Sequence, residues 1–439
     1  MRIGAATIDI TPPVGTALDG YGGREDVSLG VHDPLYARAL YLDDGATELA
    51  LVVCDLIGIG SFLAQRAREL IAERPGIPGS NVMISATHTH AGPAGVRGRG
   101  EPVLVEGIAR KIAGAVRVAH RNAVEGVLKY GTTELSSFAQ NRRHPDWPID
   151  HRLDVVAADT PDGRNIATAV RYACHATTLN FDNLEITADY PGELCRTVES
   201  VVGGGSQALF FNGACGNINP TWIRQDFANV RRVGSIAGAK AAALSQELRP
   251  LGLSHQGDNI RWDEHTPKAI AGSLVSGSLR AFARTLEAPY RRGPDDAEFG
   301  AQLAALERSF RESEATMSRD ERRGAMEKLT AARMERLSLA RTRGKGATRT
   351  EEVQAFALGD NLQLIALPGE VFYETGEDIR RLSGLHNLLV IAYANDYPGY
   401  FCRPEAYEQG GYEAGVTPFA PEADGLLAEA AVDALKHVC

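Results

Sequence analysis

The stretch Asn81-Val82-Met83-Ile84-Ser85-Ala86-Thr87-His88-Thr89-His90-Ala91-Gly92-Pro93 decides how this chain is read. Its first half is a nearly unbroken apolar run of strand length. It lacks the polar alternation of a strand with one wet face, so it predicts a strand buried on both sides. Its second half turns abruptly to threonine and histidine. Strands of this kind belong to α/β folds, where ligands sit in the crevice beyond the strand ends.

Working outward, runs of the same character recur at 48–55, 166–174, 207–211, 361–367 and 387–394. The N-terminus reads as a further strand, ending at Pro12-Pro13. Helical patterns lie between, at 62–73, 103–119, 227–248 and 422–437. The second carries Val105, Ile108, Ile112 and Val116 at helical spacing. Strands alternating with helices predict an α/β fold with mixed central β-sheets flanked by helices. Residues 294–345 differ, with ten acidic and eleven basic residues in 52 positions. Leu303, Leu306 and Phe310 form one apolar stripe. Leu329, Arg333 and Leu337 continue a second helix, and Ser318 with Glu321 fits a capping box. We read 294–345 as a charged helical hairpin inserted into a single domain spanning 1–439. Its mixed charges suit a solvated helical pair, with a dimer contact or a lid as the alternatives.

The 439 residues carry 46 Lys+Arg against 56 Asp+Glu, a formal charge of −10, which argues against nucleic acid as a partner. With 44% apolar and 23% charged residues the chain is not a disordered one. No run of ~18 apolar residues suggests a membrane span, and no apolar leader opens the sequence. The six cysteines show no CxxC pair and read as reduced thiols, which predicts a cytoplasmic location.

The polar residues cluster where the predicted strands end. Besides His88 and His90 these are His175, the segment Asn212–Pro220, Pro368-Gly369-Glu370, and Asn395-Asp396-Tyr397-Pro398-Gly399-Tyr400. Two residues apart in extended backbone, His88 and His90 would point to one side. Two imidazoles and a carboxylate make a competent zinc site, with ligands at about 2.0–2.2 Å. Each residue alone has a plainer reading. Tyr400 could be a hydroxyl-bonded core residue, and Arg142 could pair with Asp150 or Asp154. Asp189 could open a helix before Pro191, and His32 could simply orient structure.

In order, these motifs resemble the catalytic domain of the neutral/alkaline, non-lysosomal ceramidases. The likeness runs from Asp9-Ile10-Thr11-Pro12, Gly30-Val31-His32 and Ala37-Arg38-Ala39 through Thr87–Pro93 and Asn141-Arg142. It continues through His175-Ala176-Thr177-Thr178-Leu179-Asn180, Gly216–Pro220, Leu367–Glu370, Tyr397–Tyr400 and Tyr412. It implies a zinc ion held by His88, His175, Glu370 and Tyr400. His90, Arg142 and Tyr412 would line the site without binding metal. Zinc lowers the pKa of bound water to about 7, giving a hydroxide that attacks an amide carbonyl. Arg142, His90 or Tyr412 would stabilise the oxyanion, and His90 or Tyr412 could protonate the leaving amine. Asp189 would act as a general base or orient a ligand.

The chain departs from that family in three ways. Asn219 stands where the ceramidases have a serine proposed as nucleophile. The family's C-terminal β-sandwich and its secretory leader are not seen. The resulting expectation is a zinc-dependent hydrolase of a soluble, non-ceramide amide, with ceramide itself, an ester or a lactone as alternative substrates. An acyl-transfer enzyme using Cys215 and a metal-stabilised binding protein are the competing classes. A homo-oligomer is compatible with either.

Overall fold

Every apolar run becomes a strand, with ends shifted by a residue or a few. In a computed structural model the runs appear as Glu48–Cys54, Val82–Ala86, Asn165–Tyr172, Gln207–Asn212, Leu362–Ala366 and Leu388–Ile391. The N-terminal strand is Arg2–Asp9. The helices are Ser61–Glu73, Pro102–Arg121, Phe227–Glu247 and Glu422–Lys436. The structure describes residues 1–22, 24, 26–97, 102–221, 223–248, 274–293, 296–314 and 316–439.

The long strands form three sheets. In the first, Val82–Ala86 lies at one edge, followed by Glu48–Cys54, Tyr36–Asp43 and Arg2–Asp9. In the second, Gln207–Asn212 is the edge, followed by Asn165–Tyr172, Arg152–Asp159 and Val127–Glu134. The third runs Arg280–Pro289, Thr348–Gly359, Leu362–Ala366 and Leu388–Ile391. Each sheet is antiparallel except for one parallel pair at an edge. A parallel pair sends two strand ends the same way, and the site loops leave from those ends.

Alternation within the strands explains why strands of these sheets bury both faces. In Arg152–Asp159, Val156 and Ala158 enter a core shared with Leu40, Leu51, Leu209, Phe211, Phe356 and Leu364 of the other strands. Leu153, Val155 and Ala157 instead meet helices Asp189–Val202 and Phe227–Glu247. The first and third sheets likewise pack helices on their outer faces. Sheets therefore share one inner core while helices cover the outside.

Five long strands, Tyr36–Asp43, Val127–Glu134, Arg152–Asp159, Arg280–Pro289 and Thr348–Gly359, were not among the runs read from the sequence, and buried charges interrupt two of them. Lys129 and Asp159 pair at 3.0 Å across neighbouring strands, and Arg171 Nη1 lies 3.3 Å from Asp154. Neutralised in place, such residues can sit in a buried sheet, but the sequence does not show their partners.

The charged segment contains helices Asp296–Ser313 and Arg319–Thr342, with the Ser318–Glu321 capping box formed. Residues 294, 295 and 315 lie outside the described residues. Leu303, Phe310 and Leu329 bury each other, and Arg333 bridges to Glu307 at 2.8 Å. Leu337 is exposed, whereas Leu339 is buried on the helix face turned toward Gly293.

Candidate metal centre and active-site cavity

His88 follows the edge strand Val82–Ala86 but not in extended backbone. Its φ is 68°, in the left-handed region. The turn is held by amides, with Thr87 donating to Cys54 O at 2.9 Å and His88 to Leu56 O at 3.0 Å. The two imidazoles still meet, with Nε2 atoms 3.2 Å apart, but through a turn rather than the alternation expected of a strand. His175 follows Asn165–Tyr172, and a bridge between Thr89 and Ala176 joins the two histidine loops. Glu370 begins a two-residue strand in register with Tyr400, which sets these residues side by side.

The ring nitrogens are sorted by their partners. His88 Nδ1 lies 2.7 Å from Ile57 O, and His175 Nδ1 lies 2.8 Å from Cys215 O and 3.0 Å from Ile218 O. A carbonyl only accepts, so both rings carry the proton on Nδ1 and turn the Nε2 lone pair into the site. The buried Nδ1 of His90 has no hydrogen-bond partner, and its Nε2 faces the His88 Nε2 lone pair at 3.2 Å, which puts the His90 proton on Nε2.

Glu370 Oε2 lies 3.1 Å from His175 Nε2 and 3.6 Å from His88 Nε2. One ligand nitrogen each from His88, His90 and His175 falls within a 4.8 Å span. Ligands about 2.0–2.1 Å from one tetrahedral ion would stand ~3.3 Å apart, and Glu370 Oε2 meets that spacing to His175 and His88, as His90 Nε2 does to His88, so these donors fit a metal ion. Burial pushes the His88 imidazole down to about 3, and burial with the neighbouring His88 pushes His90 well below its usual value. Burial alone would raise Glu370, but His88, His175 and Arg142 outweigh it and hold the carboxyl at about 2. Neutral imidazole and ionised carboxylate are the forms that bind metal.

Arg142 follows the short strand Ala139–Asn141. Its Nε donates to Glu413 Oε1 at 2.5 Å, and its Nη2 donates to Gly216 O at 2.7 Å and to the Tyr400 hydroxyl at 3.0 Å. Its Nη1 reaches Asn219 Oδ1 at 3.3 Å and stands 3.5 Å from His175 Nε2. The alternative pairing with Asp150 or Asp154 does not form, because Arg171 lies between those two carboxylates. Tyr400 is buried, and its ring meets that of Tyr412 edge-on at 6.0 Å. Tyr412 is 49% exposed and opens the helix Tyr412–Val416.

A cavity of about 1280 Å³ opens beside the buried His88 and His175, which do not themselves line it. His90, Arg142, Asn219, Glu370, Tyr400 and Tyr412 line it, and Thr342 and Lys345 bring the end of the charged segment to its wall. Asp189 is not among the lining residues. Its Oδ2 accepts the amides of Thr178 and Leu179, and its Oδ1 accepts that of Tyr190. Burial raises it to about 6, yet a carboxylate so engaged braces the loop after His175 rather than serving as a general base. Cys215 does not line the cavity either. Its sulfur contacts Asn212 Oδ1 at 3.3 Å and the Tyr393 hydroxyl at 3.1 Å. Two further residues went unnoticed in the sequence. Glu413 lies 271 positions from the Arg142 it pairs with, and the Tyr397 hydroxyl donates to Glu370 Oε1. No local pattern marks Glu413. Tyr397 sits inside a quoted motif, but nothing there tells it from Tyr400.

An α/β chain whose strand ends gather histidines, a carboxylate and an arginine beside one cavity carries a site that could hold a metal ion, and its relatives place it among the hydrolases. Comparison with known proteins agrees. The family model described as neutral/alkaline non-lysosomal ceramidase, N-terminal, matches residues 1–223. The chain is 25% identical over 482 residues to the neutral ceramidase of Pseudomonas aeruginosa, covering 98% of this chain and 71% of that protein. It is 24% identical over 491 residues to the neutral ceramidase of Mycobacterium tuberculosis, covering 95% and 74%. The crystal structure of the Pseudomonas aeruginosa neutral ceramidase superimposes with a TM-score of 0.75 at 22% identity, over 100% of this chain and 75% of that one. This chain belongs to the neutral/alkaline non-lysosomal ceramidase family.

Proposed function

We propose that this protein is a zinc-dependent amidohydrolase that cleaves the N-acyl bond of a ceramide-type substrate. The observation that carries the reading is the convergence of His88 Nε2, His175 Nε2 and Glu370 Oε2 beside the Arg142 guanidinium. His88, His175 and Glu370 would hold the ion, with Tyr400, whose hydroxyl accepts from Arg142, as the fourth ligand. A bound zinc supplies a Lewis acid and water ionised near neutral pH.

The chain's own residues do the rest. Arg142, fixed by Glu413 and Gly216, presents a cation where an amide oxygen would gain charge. His90, with Nε2 toward His88 and Nδ1 unpartnered, can carry a proton to the leaving amine, and the half-exposed Tyr412 lines the same cavity. Asn219 accepts a hydrogen bond from Arg142, and an amide is no nucleophile, so water takes that part. The departures from the family and the acidic, membrane-indifferent sequence favoured a soluble amide. The relatives named neutral ceramidase weigh toward ceramide, and ceramide is therefore the substrate proposed. No helix among the described residues is long and apolar enough to cross a membrane. The cytoplasmic placement is part of the proposal and rests on six unpaired cysteines.

The test is metal analysis of the purified protein combined with turnover of ceramide, soluble N-acyl amides, esters and lactones. Stoichiometric zinc, loss of turnover on chelation, recovery on metal return and preference for ceramide are expected. Full activity in the metal-free protein would overturn the reading.

A further inference from the structure

We infer that Tyr397 is a positioning residue that makes Glu370 offer a single oxygen to the histidines. The inference rests on the metal-site reading above. Glu370 is buried, and its two oxygens have different neighbours. Oε2 faces His175 and His88, whereas Oε1 accepts the Tyr397 hydroxyl. A carboxylate with both oxygens free can close on an ion with two contacts. With one oxygen capped it makes a single contact, leaving room for water and substrate.

The tyrosine is itself held from several sides. Its amide donates to Asp396 Oδ1 at 2.7 Å, and that carboxylate also accepts from Ser61 N at 2.9 Å and from Arg349. The Arg97 guanidinium stands 5.4 Å from the centre of its ring. Gly58 leaves the space the ring needs. A Cβ there would fall 2.3 Å from Tyr397 Cδ2. Gly369, at φ 65°, lets the turn before Glu370 approach Gly399 closely, where a Cβ would meet Gly399 O at 2.4 Å. Glu370 and Tyr397 are thus fixed by separate anchors, and their hydrogen bond sets the carboxylate's rotation. Tyr400, three residues on, serves Arg142 instead.

The experiment loads the full chain and Tyr397→Phe with cobalt(II), and reads visible absorption, metal content, kcat and KM. The variant should keep one cobalt per chain, show weaker visible bands from a higher coordination number, and lose about 10- to 100-fold in kcat with little change in KM. Gly58→Ala, which pushes the ring while keeping the hydroxyl, should move the spectrum the same way. Tyr397→Phe with the parent's spectrum and kcat would overturn the inference while leaving the metal site standing. A folded variant that no longer takes up cobalt would also overturn it, because the hydroxyl would then hold the ion rather than orient the carboxylate. Failure of the unaltered protein to bind cobalt would remove the metal-site reading itself.

Discussion

His175 Nε2 and Glu370 Oε2 lie 3.1 Å apart although 195 residues separate them in the chain. One follows the second sheet and the other follows the third, so the contact exists only because the sheets meet at one end. Everything proposed for the site depends on that meeting.

Replacing His88, His175 or Glu370 with alanine should remove bound metal and lower turnover at least about 100-fold. Elemental analysis beside activity checks both. His90→Ala should keep its metal and lose about 10²- to 10⁴-fold in rate, as for a lost proton carrier. An active, metal-loaded His175→Ala protein would contradict the ligand assignment.

Arg142→Lys should keep a positive charge but lose the fork that reaches Glu413, Gly216 and Tyr400 together. Turnover should drop about 10²- to 10³-fold with zinc content unchanged. Asn219→Ser should leave the rate near that of the parent, because the proposed nucleophile is water. A large gain on introducing the serine would show instead that a side-chain nucleophile is used.

Burial pushes the Cys215 thiol up to about 12, where a thiolate is scarce at neutral pH. Cys215→Ala should therefore retain activity, at a stability cost of about 1 kcal/mol from the lost contacts to Asn212 and Tyr393. Thiol alkylation of the folded protein should not inhibit it. Inactivation of the alanine variant with normal folding would revive the thiol mechanism.

Glu351 is buried, and burial together with the nearby Asp396 raises its carboxyl to about 8, against the pull of Arg349. Arg349 Nε approaches Glu351 Oε1 to 2.6 Å, but neither carboxylate oxygen gains a well-aligned hydrogen bond. The folded state then holds this proton more tightly than the unfolded chain, whose carboxyl titrates near 4.5. Its contribution is fully present below that value and is lost as pH rises toward 8. Glu351→Gln should melt several degrees higher than the parent at pH 8.5, with the gap closing as the buffer is acidified. Parallel melting curves across that range would refute the assignment.

Much of this protein was readable before any coordinates. Unbroken apolar runs required buried strands, helical spacing at Val105, Ile108, Ile112 and Val116 required a packed helix, and strand ends advertised His88, His175 and Glu370. Those signals are local and survive in one dimension. Five other long strands were harder to read. Lys129 finds Asp159 and Arg171 finds Asp154 only across neighbouring strands, so a charged stretch hid part of a core sheet.

The residue types of the site, and the order in which they occur, belong to the sequence by itself. Which of them touch was settled by tertiary structure. The fold ties Arg142 to Glu413, gives Tyr397 rather than Tyr400 to Glu370, and spends the Asp189 carboxylate on backbone amides. The reason is geometric. Hydrogen bonds are decided over ~3 Å, and only the convergence of three sheet ends brings groups separated by hundreds of residues within that reach.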